Sequence, residues 1–314
     1  MKSAILKSPL PCLALLAAHL IWGANTVIAK ITLHEFPVMS LSFIRFALAA
    51  LILLPFLLKY DRKQLKIKKQ HFLKLVWVGL LWTTFSIGFG YQGLTLTTAI
   101  DASVLSLTIP IISVLISWWF LKDKIYIINL LGVAASLAGA LAIIGVPIIL
   151  SGNLADSNLL GNGLIILAGI SGVIGSIMAQ KLFKIYPVVF ITWFAFLVGA
   201  ITFAVPAGLD YYHNPAWMSQ VTLLGLLGLL FIIILSSVCA YFLYSWGLEK
   251  TNVVQSNLFQ YLEPAVTATL AVPLLQERIS FSFIIGTCLV VLGVYWGTFG
   301  KPHHHHPHFK HHRF

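Results

Sequence analysis

Apolar residues in this chain come in long runs and not in alternation. Ten runs of roughly 20 residues, the length that carries a helix across about 30 Å of hydrocarbon, can be marked. They fall at approximately 10–30, 37–59, 73–95, 102–121, 125–149, 161–181, 187–209, 221–247, 254–275 and 280–299. Segments such as "LILLPFLL" (51–58) lack the period-two pattern that a transmembrane β-barrel would show. The pattern predicts an all-α polytopic membrane protein with ten transmembrane helices. The first run is too long for a signal-peptide h-region and has no convincing cleavage site, so it is expected to be a retained first helix.

Composition sharpens this. Hydrophobic residues make up 59% of the 314 positions and charged residues 9%, against about 25% charged in a typical soluble domain. The net charge of +11 would suggest nucleic acid if it were clustered on one domain. With ten spans and the N-terminus inside, however, 17 of the 20 Lys and Arg residues fall on the inner side. That is positive-inside bias, so no nucleic-acid partner is implied and both termini are expected in the cytoplasm. Lys30 and Arg278 fall outside, and Arg45 lies within a span. Cys12, Cys239 and Cys288 sit singly in apolar runs, without metal spacing.

The chain also repeats itself. Shifted by 154 residues, "YQGLTLTTAIDASVLSLTIPIISVLISWWFLKDKI" from Tyr91 falls on "SWGLEKTNVVQSNLFQYLEPAVTATLAVPLLQERI" from Ser245 without a gap. Gly93 then meets Gly247, Pro110 meets Pro264, Asp123 meets Glu277 and Gly139 meets Gly293. Lys30 and Pro37 correspond more loosely to Lys181 and Pro187. Each repeat holds five spans, an odd number, so the second enters the membrane in the opposite sense. Inverted repeats are typical of secondary transporters, whose sites lie near the midplane between the halves. The expected domains are residues 1–150, an outer linker at 151–160, residues 161–299, and a His-rich basic cytoplasmic tail at 300–314.

Several stretches carry a family resemblance: "LIWGANTVIAK" (Leu20–Lys30), "PVMSLSFIRFALAA" (Pro37–Ala50), the acid-closed "WWFLKDKI" and "PLLQERI", and "GTCLVVLGVYWG" (Gly286–Gly297). In order, spacing and duplication the chain resembles the drug/metabolite transporter superfamily, specifically ten-helix proteins with two EamA-type repeats. The resemblance implies an integral protein of a bacterial inner membrane, often an exporter of amino acids or related small metabolites. It also implies a central cavity lined mainly by spans 1, 3, 4, 6, 8 and 9, and no cofactor. The superfamily also includes carriers of phosphorylated and nucleotide-linked metabolites.

Polar residues inside apolar spans are costly and therefore mark candidate sites. In the first span His19, Trp22, Thr26 and Lys30 form one helical stripe. Trp22 can stack on a ligand, His19 can titrate, and Lys30 can either meet an anion or snorkel to the interface. Arg45 needs a partner: Glu263, helix-end carbonyls or an anionic substrate. The fourth span carries Ser103, Ser106, Ser113 and Ser117 around Pro110. The ninth carries Asn257, Gln260, Tyr261, Glu263 and Thr267 around Pro264. Each proline removes a helical hydrogen bond and makes its helix a candidate hinge. Thr84 and Tyr91 in the third span, and Ser237, Tyr241 and Tyr244 in the eighth, complete the binding or coupling candidates. The small faces, Gly172–Ser176 among them, point to close helix packing. Asp101, Asp123 and Glu277 are expected to start the helices that follow them.

No HExxH, G-x-S-x-G or Walker A motif is present, which disfavours a membrane-embedded enzyme. No long loop suits a receptor, no acidic or Gly-rich filter suits a channel, and no metal site is implied. The expected partners are a small-molecule substrate and the lipid bilayer; protons could couple through Glu263 or His19, and the sequence equally allows uniport or exchange. The tail "KPHHHHPHFKHHRF" holds seven of the eleven His residues and is expected to lie as a basic segment near anionic lipid.

Overall fold

A computed structural model of the chain describes residues 9–109, 158–251 and 253–279 continuously, with short stretches between 112 and 139 and between 281 and 292. All its described elements are helical. Among the described residues six helices are long and apolar enough to cross a membrane: α1 (Leu10–Thr32), α2 (Val38–Leu57), α3 (Lys69–Leu96), α5 (Leu159–Leu182), α6 (Val188–His213) and α7 (Leu223–Lys250). Shorter helices are α4 (Ala99–Thr108), which opens the fourth predicted span, and α8 (Val253–Asn257) and α9 (Glu263–Leu275), which make up the ninth. Pro110, most of the fifth and tenth spans and the tail lie outside the described residues.

The doubling seen in the sequence extends to local geometry. Helices α2 and α6 both start directly after a proline, Pro37 (φ −59, ψ 144) and Pro187 (φ −57, ψ 141). The pyrrolidine ring fixes φ in the extended entry and leaves no N–H to satisfy. These two helices make the most extensive interhelical contact, followed by α3 with α5, and α1 packs on α9 and α7. The outward faces are apolar: α2 exposes Leu48, Leu51 and Phe56, and α7 exposes Leu223, Leu227, Leu230 and Ile234. Continuous apolar surface of this kind calls for lipid rather than water.

Two distortions recur at the 154-residue shift. A π-helical segment occupies Leu80–Phe85 in α3 and Ile232–Ala240 in α7. Moved by 154, the first becomes 234–239 and lies inside the second. Hydroxyls support the widened turns: Thr83 Oγ1 donates to Gly79 O at 2.6 Å, and Ser237 Oγ donates to Ile232 O, five residues back, at 2.8 Å. The second pair of distortions is the 3₁₀ turn at Ser106–Thr108 and its counterpart at Leu258–Leu262. In the latter case the cause is visible. Pro264 has no N–H to give to Gln260 O, so that carbonyl accepts from the N–H of Glu263 instead, and α9 restarts with the proline in its first turn.

Carboxylates fasten helix N-termini across the bundle. Asp210 accepts from the N–H and hydroxyl of Ser40 at 3.0 Å each, at the start of α2. Glu35 accepts from the N–H and hydroxyl of Thr222 at 2.7 Å each, before α7. Glu277 accepts from the N–H groups of Ala99 (2.7 Å) and Ile100 (2.9 Å) at the start of α4. Glu277, expected to start the tenth helix, fastens the N-terminus of α4, and the start of the tenth span lies partly outside the described residues. Every one of these acids meets the positive end of a helix dipole.

Candidate functional site

Where α1 meets α9, Gly23 lets the two backbones touch: a Cβ on it would sit 3.0 Å from Glu263 Cα and 3.0 Å from Glu263 O. Thr267 Oγ1 donates to Gly23 O at 2.9 Å and fixes this crossing. One turn before Gly23 on α1, His19 Nδ1 donates to Glu263 Oε1 at 2.7 Å, with the two residues 2% and 7% exposed. This pair borders a cavity of about 250 Å³ reached by α1, α2, α3, α4, α5 and α7 as well as by Asn257, Gln260 and Glu263.

One wall of the cavity is aromatic. Trp22 lies 5.3 Å from the His19 ring, 5.3 Å from Tyr241 and 5.1 Å from Tyr244, mostly edge to face. Trp82 closes the wall, 6.3 Å from Tyr241 and 6.4 Å from Tyr244. Polar tips hold these rings. Trp22 Nε1 donates to Ser236 O at 3.2 Å, and Tyr241 donates its hydroxyl to Trp82 O at 3.3 Å. Trp82 Nε1 donates to Ser176 Oγ at 2.9 Å, while the Tyr244 hydroxyl lies 3.2 Å from both Ser176 Oγ and Asn257 Oδ1. Both carbonyl acceptors belong to the π segments.

Three buried polar atoms of the lining, His19 Nε2, Asn25 Oδ1 and Ser236 Oγ, have no hydrogen-bond partner among the described residues. Buried polar groups are nearly always paired, and an orphan is costly. Three around one cavity mark a place shaped for a polar occupant. Among the described residues no group of three His, Cys, Asp or Glu side chains is arranged to hold a metal.

Of the residues expected from sequence, His19, Trp22, Thr26, Arg45, Ser106, Tyr241, Tyr244, Asn257, Gln260 and Glu263 line the cavity. Thr26 and Ser106 return their hydroxyls to Trp22 O (3.2 Å) and Ala102 O (3.0 Å). The others are placed elsewhere. Lys30 donates to Thr97 O and lies 3.7 Å from Glu277, at the end of α1 away from the cavity. Thr84 bonds Thr202 at 2.7 Å between α3 and α6. Tyr91 and Ser237 stand behind Arg45, and Tyr261 packs against the cluster that contains Leu41 and Ile100. Pro264 sits buried at the restart of α9. Arg45 is not paired with Glu263, which is held by His19 instead; this corrects one of the three expected partners.

Sequence reasoning missed Asn25, Trp82, Ser86, Ser176 and Ser236 as cavity residues. Asn25 lies one turn beyond Trp22 and was within reach of the stripe argument. Ser176 sits among glycines and looks like packing. Trp82 and Ser236 are partners at the 154-residue shift, a signal visible only once the repeat is followed beyond its well-matched stretch.

Helices apolar on the outside around a polar, aromatic cavity define a membrane transport protein. Residues 9–145 and 159–299 each match the EamA-like transporter family, and the chain belongs to that family, within the drug/metabolite transporter superfamily. It is 24% identical over 287 residues to the uncharacterized transporter YoaV of Bacillus subtilis, covering 91% of this chain and 96% of that protein. An uncharacterized transporter of Archaeoglobus fulgidus is 29% identical over 290 residues, covering 91% of this chain and 96% of that protein. The S-adenosylmethionine uptake transporter of Rickettsia bellii is 24% identical over 282 residues, covering 86% of each. A crystal structure of another protein shares the fold with a TM-score of 0.64 at 17% identity, over 92% of this chain and 97% of the other.

Proposed function

We propose that this protein is a secondary transporter that moves small polar or amphipathic metabolites by exposing its central cavity alternately to the two membrane faces. The observation that carries the reading is the cavity itself: a buried His19–Glu263 pair and three unpartnered polar atoms inside an apolar bundle. The two-repeat build supports an exchange of shapes between halves. Ten spans in inverted halves, with both termini cytoplasmic, follow from the even number of apolar runs and the inner bias of Lys and Arg. We place the protein in a bacterial inner membrane and take the direction as export of amino acids or related compounds, on the family resemblance.

Protons are the proposed coupling ion. The His19–Glu263 pair can hold one proton between its members while His19 Nε2 faces the cavity, so substrate arrival and proton movement meet at one imidazole. The groups facing the pair are Trp22 and Tyr244 by ring contact, with Arg45, Tyr241, Asn257 and Gln260 around the same cavity.

Counterflow of labelled metabolites in proteoliposomes, with and without a pH gradient, tests the reading. Saturable exchange in the wild type, with Glu263→Gln keeping exchange but losing gradient-driven accumulation, is the expected result. Lack of counterflow across a broad metabolite panel would sink the carrier reading. Accumulation that survives in Glu263→Gln would sink the proton role alone.

A further inference from the structure

Arg45 is 1% exposed, yet it lines the cavity. Its Nε donates to Ser237 Oγ at 3.0 Å and one Nη donates to the Tyr91 hydroxyl, both neutral acceptors. The Phe46 and Tyr91 rings lie 5.0 and 5.3 Å from Cζ and offset part of the charge through their π faces. The described carboxylates are all committed elsewhere. Glu263 holds His19, Glu277 faces Lys30 and the start of α4, and Asp210 and Glu35 cap α2 and α7. Glu249 pairs with Lys250, Asp101 lies in the first turn of α4, and Asp61 caps an exposed turn. A guanidinium buried without an anion is strongly unfavourable. Such a charge in a membrane interior marks a functional position.

The surroundings supply the rest of a subsite. Ser237, which accepts the hydrogen bond from Nε, is preceded in the chain by Ser236, whose hydroxyl is one of the orphaned cavity atoms. Asn25, with another orphaned atom, lies against Tyr91, the residue that accepts the hydrogen bond from Nη. With Nε and one Nη each giving one hydrogen bond, the second Nη and the other N–H of the first are left, and such a pair can meet the two oxygens of a carboxylate. A phosphate monoester, with about −1.5 to −2 charges near neutral pH, would leave its second charge unmatched, because Lys30 is engaged at the far end of α1.

Building on the carrier reading, we propose that Arg45, aided by Ser236 and Asn25, is a carboxylate-binding subsite. The substrate is then a small carboxylate-bearing metabolite whose body lies on the Trp22–Tyr241–Tyr244 wall.

Ligand-dependent change in the intrinsic fluorescence of the purified full chain, two of whose nine tryptophans (Trp22 and Trp82) line the cavity, tests this with four probes: 3-phenylpropionate, phenylalanine, phenethylamine and phenyl phosphate. The two carboxylates should bind at least about tenfold more tightly than the amine or the phosphate. Arg45→Lys, which keeps the charge and loses the fork, should remove most of that preference. Ser236→Ala, which spares the arginine and its supports, should weaken the carboxylates several-fold and leave the amine unchanged. Equal affinity for carboxylates and amine, unchanged preference in both variants, or no binding by any probe overturns the subsite. Counterflow run in parallel separates the two readings. Counterflow with binding blind to the carboxylate removes the subsite only, whereas carboxylate-selective binding without counterflow removes the carrier only.

Discussion

Trp82 and Ser236 lie 154 residues apart, and the main-chain carbonyl of each accepts a hydrogen bond from an aromatic residue of the other repeat. Tyr241 donates to Trp82 O at 3.3 Å, and Trp22 donates to Ser236 O at 3.2 Å. Both carbonyls belong to π segments, where the regular α-helical pairing is broken and an outside donor can be received. The cavity's aromatic wall is therefore latched twice, once from each half.

If the protein cycles as proposed, removing one latch should slow transport without emptying the site. Tyr241→Phe keeps the ring and loses one hydrogen bond, a net cost of about 1 kcal/mol, or about fivefold in a rate that depends on it. Trp22→Phe should cost more, because it also shrinks the wall. Counterflow rates in proteoliposomes check this, and wild-type rates in both variants would show that the carbonyls need no aromatic donor.

The crossing of α1 and α9 is set by Gly23. A methyl group there meets Glu263 Cα, Glu263 O and Val266 Cβ, all at 3.0 Å, and two of these atoms are backbone. Gly23→Ala should force the helices apart, lengthen the His19–Glu263 bond and lower stability by about 1–3 kcal/mol. Gly208→Ala on α6, where nothing lies within 4 Å, should be neutral or slightly stabilising. Thermal unfolding of the two variants in the same detergent makes the comparison.

Glu277 serves both the N-terminus of α4 and Lys30. Glu277→Gln should lower stability by about 1 kcal/mol through the weakened cap, and further through the half-buried lysine left behind. Lys30→Met in the same background should restore part of the loss. A double-mutant cycle in melting temperature measures this coupling, and strictly additive effects would show that the 3.7 Å pair contributes nothing.

Much of this arrangement was readable from residue types. His19, Trp22, Arg45, Tyr241, Gln260 and Glu263 stand out as polar or aromatic side chains in apolar spans, and all line the cavity. Their partners were not readable. His19 and Glu263 are 244 residues apart, and the close crossing of α1 and α9 at Gly23, fixed by Thr267, brings them together. Arg45 and Glu263 looked complementary because opposite charges suggest a pair, but geometry gave the acid to a histidine. Regular α-helical spacing (i, i+4, i+7) would put Ser237, Tyr241 and Tyr244 on one face. The π segment changes that phase, so Ser237 turns to Arg45 while the tyrosines reach the cavity. Periodicity assumes a regular helix and is blind where the helix widens.

The matched π segments carry a consequence for descent. A π turn holds one residue more than the α turn it replaces, and each residue added to or lost from a helix rotates everything beyond it by about 100°. A lineage that lost the extra residue in one half alone would swing one side of its aromatic wall away from the other. Insertions and deletions in α3 and α7 should therefore come in pairs, 154 positions apart in this chain's numbering. Among relatives, an unpaired gap would single out a protein whose two halves no longer share one helical phase.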